Sequence, residues 1–340
     1  MGIVKILFIY HVDDEVRSII SAGLEDVENK IQLIYPEDLS KGNLELLGRD
    51  ADCIIGRGPW LELLENADKL KLYIQPGTGI DRLSITMKNY SKYKDIIITN
   101  IHGSAYSCAQ HSVAMLLTLT NKLFDHHNNM IQGKWRTNKP QSTGLRNVTV
   151  GLLGYGPINQ FVHSFLRGFE IDFAVLKRSW SNDDNSIGIN ESHKFTKAQI
   201  DEFMEKVDIV MIAAPLTSET EGLIGSRQLE LLGSDGYLVT VARGPIVDQQ
   251  ALYEALYHQR IAGAGLDVWY NYSPEEVDGK SYPYDENFPF HKLDNVILSP
   301  HRSHSPSNQN LRYQSILHNI RCLALGESNY VNIVNIDQGY

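Results

Sequence analysis

A glycine turn between an apolar strand and a helix is the part of this sequence that most directly indicates chemistry. The apolar run 148–153 leads into Gly154 and Gly156, and a helix is predicted to follow. Two glycines at such a junction leave no Cβ to block a pyrophosphate, and the helix N-terminus offers unpaired N–H groups. The third fingerprint glycine is replaced by Asn159, which predicts a slightly wider approach of helix to strand. The turn predicts a dinucleotide site formed by Gly154, Tyr155, Gly156, Pro157 and Ile158.

The residues after the next strand indicate which dinucleotide binds. Lys177, Arg178 and Ser179 follow the apolar run 171–176, and Lys177 lies 21 residues beyond Gly156. An NAD site places an acid at roughly this offset, about 20 residues on, to bind the ribose 2′-OH. Cations suit a 2′-phosphate instead. We therefore predict NADP(H) as the preferred cofactor, with NAD(H) possible if these cations merely form a solvated strand end.

The bulk composition narrows the function classes. The chain has 340 residues, 42% of them hydrophobic and 21% charged, which suffices for two domains with their own cores. A formal net charge of −10 argues against nucleic-acid binding. No apolar stretch approaches the ~20 residues of a membrane span, and Cys53, Cys108 and Cys322 are too far apart to form a metal or redox pair. We therefore expect a soluble cytoplasmic protein that binds no metal, no nucleic acid and no membrane.

Short apolar runs alternate with helical segments along the chain, a pattern typical of parallel α/β sheets. The predicted strands lie at 3–10, 31–35, 52–55, 71–75, 96–99, 148–153, 171–176, 208–213, 237–241, 262–266 and 296–298. A long apolar helix is predicted at 105–124, and the tail returns to helix at 311–325. Because the tail is too short to fold alone, we predict a discontinuous first domain, 1–100 plus 306–340, and a second domain, 101–305.

Short motifs in one fixed order connect the chain to a known family. They are KLYIQPGTGID (71–81), SCAQHSVAMLL (107–117), GKW (133–135), GLLGYG (151–156), APLTSET (214–220), VARGPIVD (241–248), GAGLDV (263–268) and NVILSPH (295–301). In this order and spacing the chain resembles the D-isomer-specific 2-hydroxyacid dehydrogenases, of the glyoxylate/hydroxypyruvate reductase and phosphoglycerate dehydrogenase types. The resemblance implies an α/β fold with two Rossmann-like or flavodoxin-like domains on parallel sheets. It further implies that the discontinuous domain binds substrate, the other binds the dinucleotide, and the active site lies in the interdomain cleft.

The resemblance also implies a reaction, hydride transfer between a nicotinamide and the carbon of a 2-keto or 2-hydroxy acid. In that chemistry Arg243, just beyond an apolar strand, holds the carboxylate and carbonyl oxygens through its forked donors. His301 gives or takes the proton, because imidazole titrates near neutral pH. Further cofactor contacts are implied for Ser179, Ala214, Pro215, Thr220, Val241, Ala242 and Asp267, the last toward the nicotinamide amide.

One catalytic partner departs from the family pattern. Relatives normally carry a glutamate five residues after the aspartate of the Leu-Asp-Val motif, where it orients the histidine. Here that position is Tyr272. A neutral phenol can orient His301 by hydrogen bonding, but it supplies no negative charge to stabilise an imidazolium. Tyr272 is therefore a catalytic candidate, and the alternatives are a loop shift that brings Glu275 or Glu276 into this role or a Tyr272 that merely packs.

On the substrate side, the resemblance implies that Thr78 and Gly79 offer backbone N–H groups to a carboxylate. Arg57 lies in a Gly-Arg-Gly loop after an apolar strand, where it meets a second anionic group or else is a surface charge. A phosphorylated or dicarboxylic substrate would favour Arg57, whereas glyoxylate or hydroxypyruvate would not require it. The partner is thus predicted only as a small 2-keto or 2-hydroxy acid.

Three functions fit these residues. The leading prediction is an NADP-linked reductase of small 2-keto acids. A phosphoglycerate-type dehydrogenase is the enzyme alternative, and it would need extra phosphate-binding cations. A cofactor-binding regulator with weak catalysis is the alternative from another class, and only Tyr272 favours it. The resemblance further implies a homodimer built on the cofactor domains, with the helix predicted at 105–124 at or near the interface.

Overall fold

The computed structural model describes residues 2–136, 141–181, 188–305 and 309–339. These residues form two parallel sheets, each in its own unit of the chain. The first unit comprises Met1–Ser104 and Ser307–Tyr340, and the second comprises Ala105–Pro306. None of the helices in the described ranges is long and apolar enough to cross a membrane.

The strands and helices of the described residues mostly alternate along the chain. The strands are β1 (Val4–Phe8), β2 (Ile31–Ile34), β3 (Cys53–Ile55), β4 (Leu72–Ile74), β5 (Ile97–Thr99), β6 (Thr149–Leu153), β7 (Asp172–Leu176), β8 (Lys194–Phe195), β9 (Ile209–Ile212), β10 (Tyr237–Thr240), β11 (Gly263–Leu266) and β12 (Val296–Leu298). The helices are α1 (Asp14–Gly23), α2 (Lys41–Gly48), α3 (Leu61–Asn66), α4 (Asp81–Asn89), α5 (Ala105–Thr120), α6 (Leu123–Ile131), α7 (Pro157–Leu166), α8 (Ile200–Lys206), α9 (Ser226–Leu232), α10 (Gln249–Tyr257) and α11 (Gln309–Leu325).

The first unit is a five-stranded parallel sheet with both faces covered. Its strand order, β2-β1-β3-β4-β5, is the flavodoxin-like order. Successive side chains of a strand point to opposite faces, so Ile6 and Phe8 of β1 pack with α1 and α11, while Leu7 packs with α3 and α4. Burial of both faces explains why these strands read as continuous apolar runs.

The second unit is a seven-stranded parallel sheet in the order β12-β11-β10-β9-β6-β7-β8. Counted from β6, this is the Rossmann order with one additional strand at the β12 edge. The strand order reverses between β6 and β9, and ligands of open α/β sheets bind outside the carboxyl ends of the strands at such a reversal. The glycine turn follows β6 directly, so the fold places it at this point.

Two elements differ from the sequence-based expectation. The single helix predicted at 105–124 is wrong, because α5 ends at Thr120 and α6 begins at Leu123. Lys122 separates them in a left-handed conformation with φ 53°, which no continuous right-handed helix accommodates. Strand β8 was not predicted at all. It is two residues long, too short to show a two-residue periodicity in the sequence.

Candidate active site

The glycine turn has the geometry that a pyrophosphate requires. Gly154 has φ 81°, and a Cβ there would lie 2.9 Å from Ala214 Cα, so only glycine fits between the ends of β6 and β9. Gly156 caps the ten-residue helix α7, and a Cβ placed on it would meet no atom within 4 Å. Pro157 occupies the first turn of α7, where no N–H is needed. The first glycine therefore serves the fold, and the second leaves open space at a helix N-terminus that fits an anionic group.

Asn159 occupies the place of the third glycine and stabilises the turn. Its side chain is buried, and Nδ2 donates to Gly154 O at 2.6 Å, Met211 O at 3.1 Å and Leu153 O at 3.2 Å. The amide thus joins the end of β6, the turn and the end of β9. The sequence indicated only that asparagine needs more space than glycine, whereas the structure shows that its amide crosslinks the carbonyl groups around the turn.

We expect Asn159→Asp to lower the free energy of unfolding by about 3–5 kcal/mol at neutral pH, because it buries an unpaired carboxylate against carbonyl oxygens. Denaturant unfolding measures this change. The matched control is Gln160→Glu, the same amide-to-carboxylate change at an exposed position of α7, which should stay within about 0.5 kcal/mol of the parent. Equal effects of the two substitutions would contradict a crosslinking role for Asn159.

A tyrosine and a histidine hold the other side of the turn. Tyr155 Oη lies 2.6 Å from His163 Nδ1, and His163 is 4% exposed. Burial, with a smaller contribution from the positive charge of Arg167, lowers the pKa of His163 from 6.5 to about 4. His163 is therefore neutral at neutral pH, and the hydrogen bond between its Nδ1 and the Tyr155 hydroxyl anchors the turn to α7.

The predicted 2′-phosphate cations lie together after β7. Lys177 Nζ is 4.8 Å from the centre of the Trp180 ring, and Lys194 Nζ is 5.2 Å from the same ring. Arg178 Nε lies 3.4 Å from Glu219 Oε2, in an ion pair whose side chains are about half exposed. Ser179 is exposed. These contacts create a cationic corner in which Glu219, from the loop after β9, pairs with Arg178, and Glu191 pairs with Lys194.

Sequence reasoning missed Glu219, which supplies an acid to this corner from a distant part of the chain. The missed signal is topological. Strands β7 and β9 both pair with β6, so the loops after them meet at the same edge of the sheet. In the same loop the predicted cofactor residue Thr220 donates its hydroxyl proton to Pro215 O at 2.6 Å, and Ala214 is buried beside the turn.

Arg243 follows β10 and is held against the chain after β11. Its Nη1 donates to Ala242 O at 2.7 Å, and Val241 and Ala242 before it are buried. A Cβ on Gly244 would lie 2.3 Å from Trp269 O, so the segment carrying Arg243 packs closely on the Trp269 backbone. Arg243 as a residue is partly exposed. This placement puts a forked donor at the carboxyl edge of the sheet.

Asp267 follows β11 and organises the loop after β12. Its side chain is 0% exposed, and Ser299 Oγ donates to Oδ1 in a short hydrogen bond. The backbone N–H of Arg302 donates to Oδ1 at 2.7 Å, and that of Ser303 donates to Oδ2 at 3.0 Å. The predicted contact with a nicotinamide amide stays a prediction, and it would require uncovering a carboxylate that the described residues enclose.

His301 lies in that loop beside Tyr272. The His301 backbone has φ 55°, and its N–H donates to Ser299 O at 3.0 Å. The rings of Tyr272 and His301 meet edge to face with centroids 5.2 Å apart, and Tyr272 Oη accepts from the Trp269 N–H at 3.3 Å. The structure therefore brings the tyrosine to the histidine, as its offset from Asp267 predicted. Glu275 and Glu276 are both exposed.

The predicted substrate residues lie together within the first unit. Arg57 Nη2 donates to Pro76 O at 3.2 Å, which places the guanidinium on the loop that contains Thr78 and Gly79. Thr78 Oγ1 donates to Ile101 O at 2.8 Å, and Gln75 Nε2 donates to Gly79 O at 3.1 Å. These bonds fix the loop and leave Arg57 beside it.

Comparison with known proteins gives the family. The profile of the D-isomer specific 2-hydroxyacid dehydrogenase, NAD binding domain, matches residues 113–303. A glyoxylate reductase of Thermofilum pendens is 31% identical over 265 residues, covering 74% of this chain and 72% of that protein. A D-3-phosphoglycerate dehydrogenase of Archaeoglobus fulgidus is 30% identical over 258 residues, covering 75% of this chain. This chain spans only 45% of the length of that second relative.

Solved structures share the fold. A D-isomer specific 2-hydroxyacid dehydrogenase from Xanthobacter autotrophicus, in complex with NADPH and MES, has a TM-score of 0.77 and 23% identity, covering 100% of both chains. An NADPH-dependent glyoxylate/hydroxypyruvate reductase from Sinorhizobium meliloti has a TM-score of 0.73 and 23% identity, covering 99% of this chain and 98% of that one. The predicted fold class is thereby confirmed. With the profile match, the predicted family is confirmed as well: the chain belongs to the D-isomer-specific 2-hydroxyacid dehydrogenases, NAD(P)-dependent oxidoreductases that act on CH–OH groups.

Proposed function

We propose that this protein reduces a small 2-keto acid of the glyoxylate or hydroxypyruvate type with NADPH. One observation carries the proposal. The neighbouring strands β10, β11 and β12 end in the segments that contain Arg243, Asp267 and His301. The carboxyl ends of parallel strands share one edge of a sheet. The arrangement therefore supports an active site at that edge, with Arg243 as a forked cation and His301 as a proton donor.

The roles of the chain's own residues follow from their chemistry. Arg243 would bind the carboxylate and the carbonyl oxygen of the acid and polarise the C=O bond. His301 would donate a proton to that oxygen as the carbonyl carbon is reduced. Bound NADPH supplies the hydride. Thr78 and Gly79 would present backbone N–H groups to the substrate carboxylate.

The cofactor preference rests on the cationic corner formed by Lys177, Arg178 and Trp180. The turn from Gly154 to Ile158 would bind the pyrophosphate of either dinucleotide, so the turn itself does not discriminate between them. The two cations after β7 would bind the 2′-phosphate that only NADP(H) carries. Among the described residues, Glu219 beside Arg178 and Glu191 beside Lys194 disfavour a phosphate.

We expect Lys177→Asp to raise the KM for NADPH about 10- to 100-fold, since it replaces a charge-assisted bond to phosphate by repulsion. The KM for NADH should change less than about threefold, because NADH lacks the phosphate. Steady-state kinetics with both cofactors measure this. Lys206→Asp, the same charge change at an exposed end of α8, is the control and should leave both values unchanged. A parent enzyme that uses NADH as well as NADPH would contradict the preference.

Turnover with a panel of acids tests the function. The panel contains glyoxylate, hydroxypyruvate, its 3-phosphate and pyruvate, each with NADPH. We expect rapid NADPH oxidation with glyoxylate or hydroxypyruvate. Preference for the phosphorylated acid would favour the second candidate, a phosphoglycerate-type dehydrogenase. The guanidinium of Arg57 beside the loop of Thr78 supports this candidate, because it could bind a phosphate. Tight NADPH binding without any turnover would favour a regulator and contradict the reductase.

A homodimer built on the dinucleotide unit is part of the proposal. Near α5, α6 and α7 this unit carries large apolar side chains that are half or more exposed: Tyr106 (51%), Leu123 (51%), Phe124 (59%), Met130 (53%), Ile131 (71%) and Trp135 (68%). The ring of Tyr106 also meets Phe161 and Phe165 edge to face. Five of these side chains lie within the short segment 123–135, and exposed apolar side chains grouped in this way favour a partner that covers them.

A further inference from the structure

We infer that His111, which lies on α5, is a positioning residue for the loop that carries His301, acting through Ser299 and Asp267. The inference rests on the proposed role of His301 as proton donor. His111 Nε2 lies 2.9 Å from Ser299 Oγ and 3.7 Å from Asp267 Oδ1. It therefore contacts the two residues that determine the course of this loop.

The direction of each hydrogen bond follows from the number of protons available. A serine hydroxyl has one proton, and Ser299 donates it to Asp267 Oδ1 in a short bond. Ser299 Oγ must then accept from His111, so His111 carries a proton on Nε2. The chain of donors runs from His111 to Ser299 to Asp267, so removing His111 takes away the donor that the Ser299 oxygen has on this side.

Asp267 binds the chain on both sides of His301. On one side it accepts from the Ser299 hydroxyl, and on the other it accepts from the N–H groups of Arg302 and Ser303. The Ser299 carbonyl is fixed as well, because it accepts from Trp269 Nε1 at 2.8 Å. His301 is thus the central residue of a loop held on either side.

The backbone of His301 makes that support necessary. Its φ of 55° lies in the left-handed region, which is unfavourable for a non-glycine residue unless surrounding contacts impose it. Ser299 is 7% exposed and Asp267 is 0% exposed, so water does not replace a missing donor easily. Removing the His111 donor therefore weakens the contacts that impose this conformation and changes where the imidazole points.

The test compares His111→Leu with His111→Gln, whose amide Nε2 can still donate to Ser299. We expect His111→Leu to lower kcat for 2-keto acid reduction about tenfold, since small misplacements of a reacting group are costly. His111→Gln should recover kcat to within about threefold of the parent. The Kd for NADPH should stay within about twofold in both variants, because residue 111 lies outside the glycine turn that would bind the pyrophosphate. The control is His258→Leu, the same change at an exposed histidine after α10, which should leave kcat unchanged.

A double-variant cycle separates this role from simple packing. If His111 acts through Ser299, adding His111→Leu to Ser299→Ala should lower kcat by less than about twofold beyond Ser299→Ala alone. Multiplicative losses in the double variant would overturn the inference, as would a His111→Leu protein that keeps the parent kcat and only melts earlier. Different results would contradict the proposed function itself: a parent protein that reduces no acid, or a His301 variant that keeps full turnover.

Discussion

His301→Asn is expected to lower kcat for 2-keto acid reduction about a thousandfold, because general acid catalysis contributes roughly 10²- to 10⁴-fold. Asparagine suits the test, since it is tolerated at the positive φ of residue 301 and keeps a hydrogen-bonding side chain without a transferable proton. The measurement is NADPH oxidation at saturating acid. The Kd for NADPH should change less than about threefold, since a proton donor to the substrate adds little to cofactor binding.

A neighbouring histidine provides the control for this prediction. His304 is exposed and its ring lies 5.7 Å from that of His301, edge to face, in the same loop. His304→Asn is the same substitution three residues away, and we expect it to retain kcat within about threefold. If His304→Asn abolished turnover and His301→Asn did not, the assignment of the proton donor to His301 would be wrong.

Arg243→Lys is the second change with a large expected effect. It keeps the positive charge but removes the planar fork, so a carboxylate and a carbonyl oxygen are no longer bound together. We expect kcat/KM for the 2-keto acid to fall about 100- to 1000-fold, with a higher KM and a lower kcat, because the lost contacts act in both ground state and transition state. Steady-state kinetics over a range of acid concentrations measure both values.

The same substitution elsewhere separates charge geometry from general disruption. Arg260→Lys changes an exposed arginine whose Nη1 lies 4.0 Å from Glu230, and an exposed ion pair of this kind contributes about 0–1 kcal/mol. It should leave kcat/KM unchanged. Recovery of full activity in Arg243→Lys would show that a point charge suffices and would contradict bidentate binding by Arg243.

Much of the fold could be predicted because the pattern of apolar residues along its strands and helices is strong. Buried parallel strands read as apolar runs, and the glycine turn marks the start of the Rossmann order at β6. The break between α5 and α6 was not visible, since a lysine in the left-handed conformation has no sequence signature of its own. Strand β8 is held by its pairing with β7, which is a tertiary property.

The candidate site could be predicted where motifs fix a residue type at a strand end, as for Arg243 and His301. Tyr272 was located by its offset from Asp267, and the structure places its ring edge against that of His301. Residues that act across the sheet were not predictable in this way. Glu219 reaches Arg178 from another loop, and His111 reaches Ser299 from a helix 188 positions earlier. Their partners are set by strand order and helix placement, which a linear pattern does not encode.

Transfer of deuterium from labelled cofactor tests the central claim most directly. The protein is mixed with NADPH that carries two deuterium atoms at C4 of the nicotinamide and with the best acid of the panel, and the product is analysed by mass spectrometry. Hydride transfer to a polarised carbonyl predicts a 2-hydroxy acid with one deuterium on C2. A product without deuterium, or NADPH binding with no product at all, would contradict the assignment of this site to NADPH-dependent reduction of a 2-keto acid.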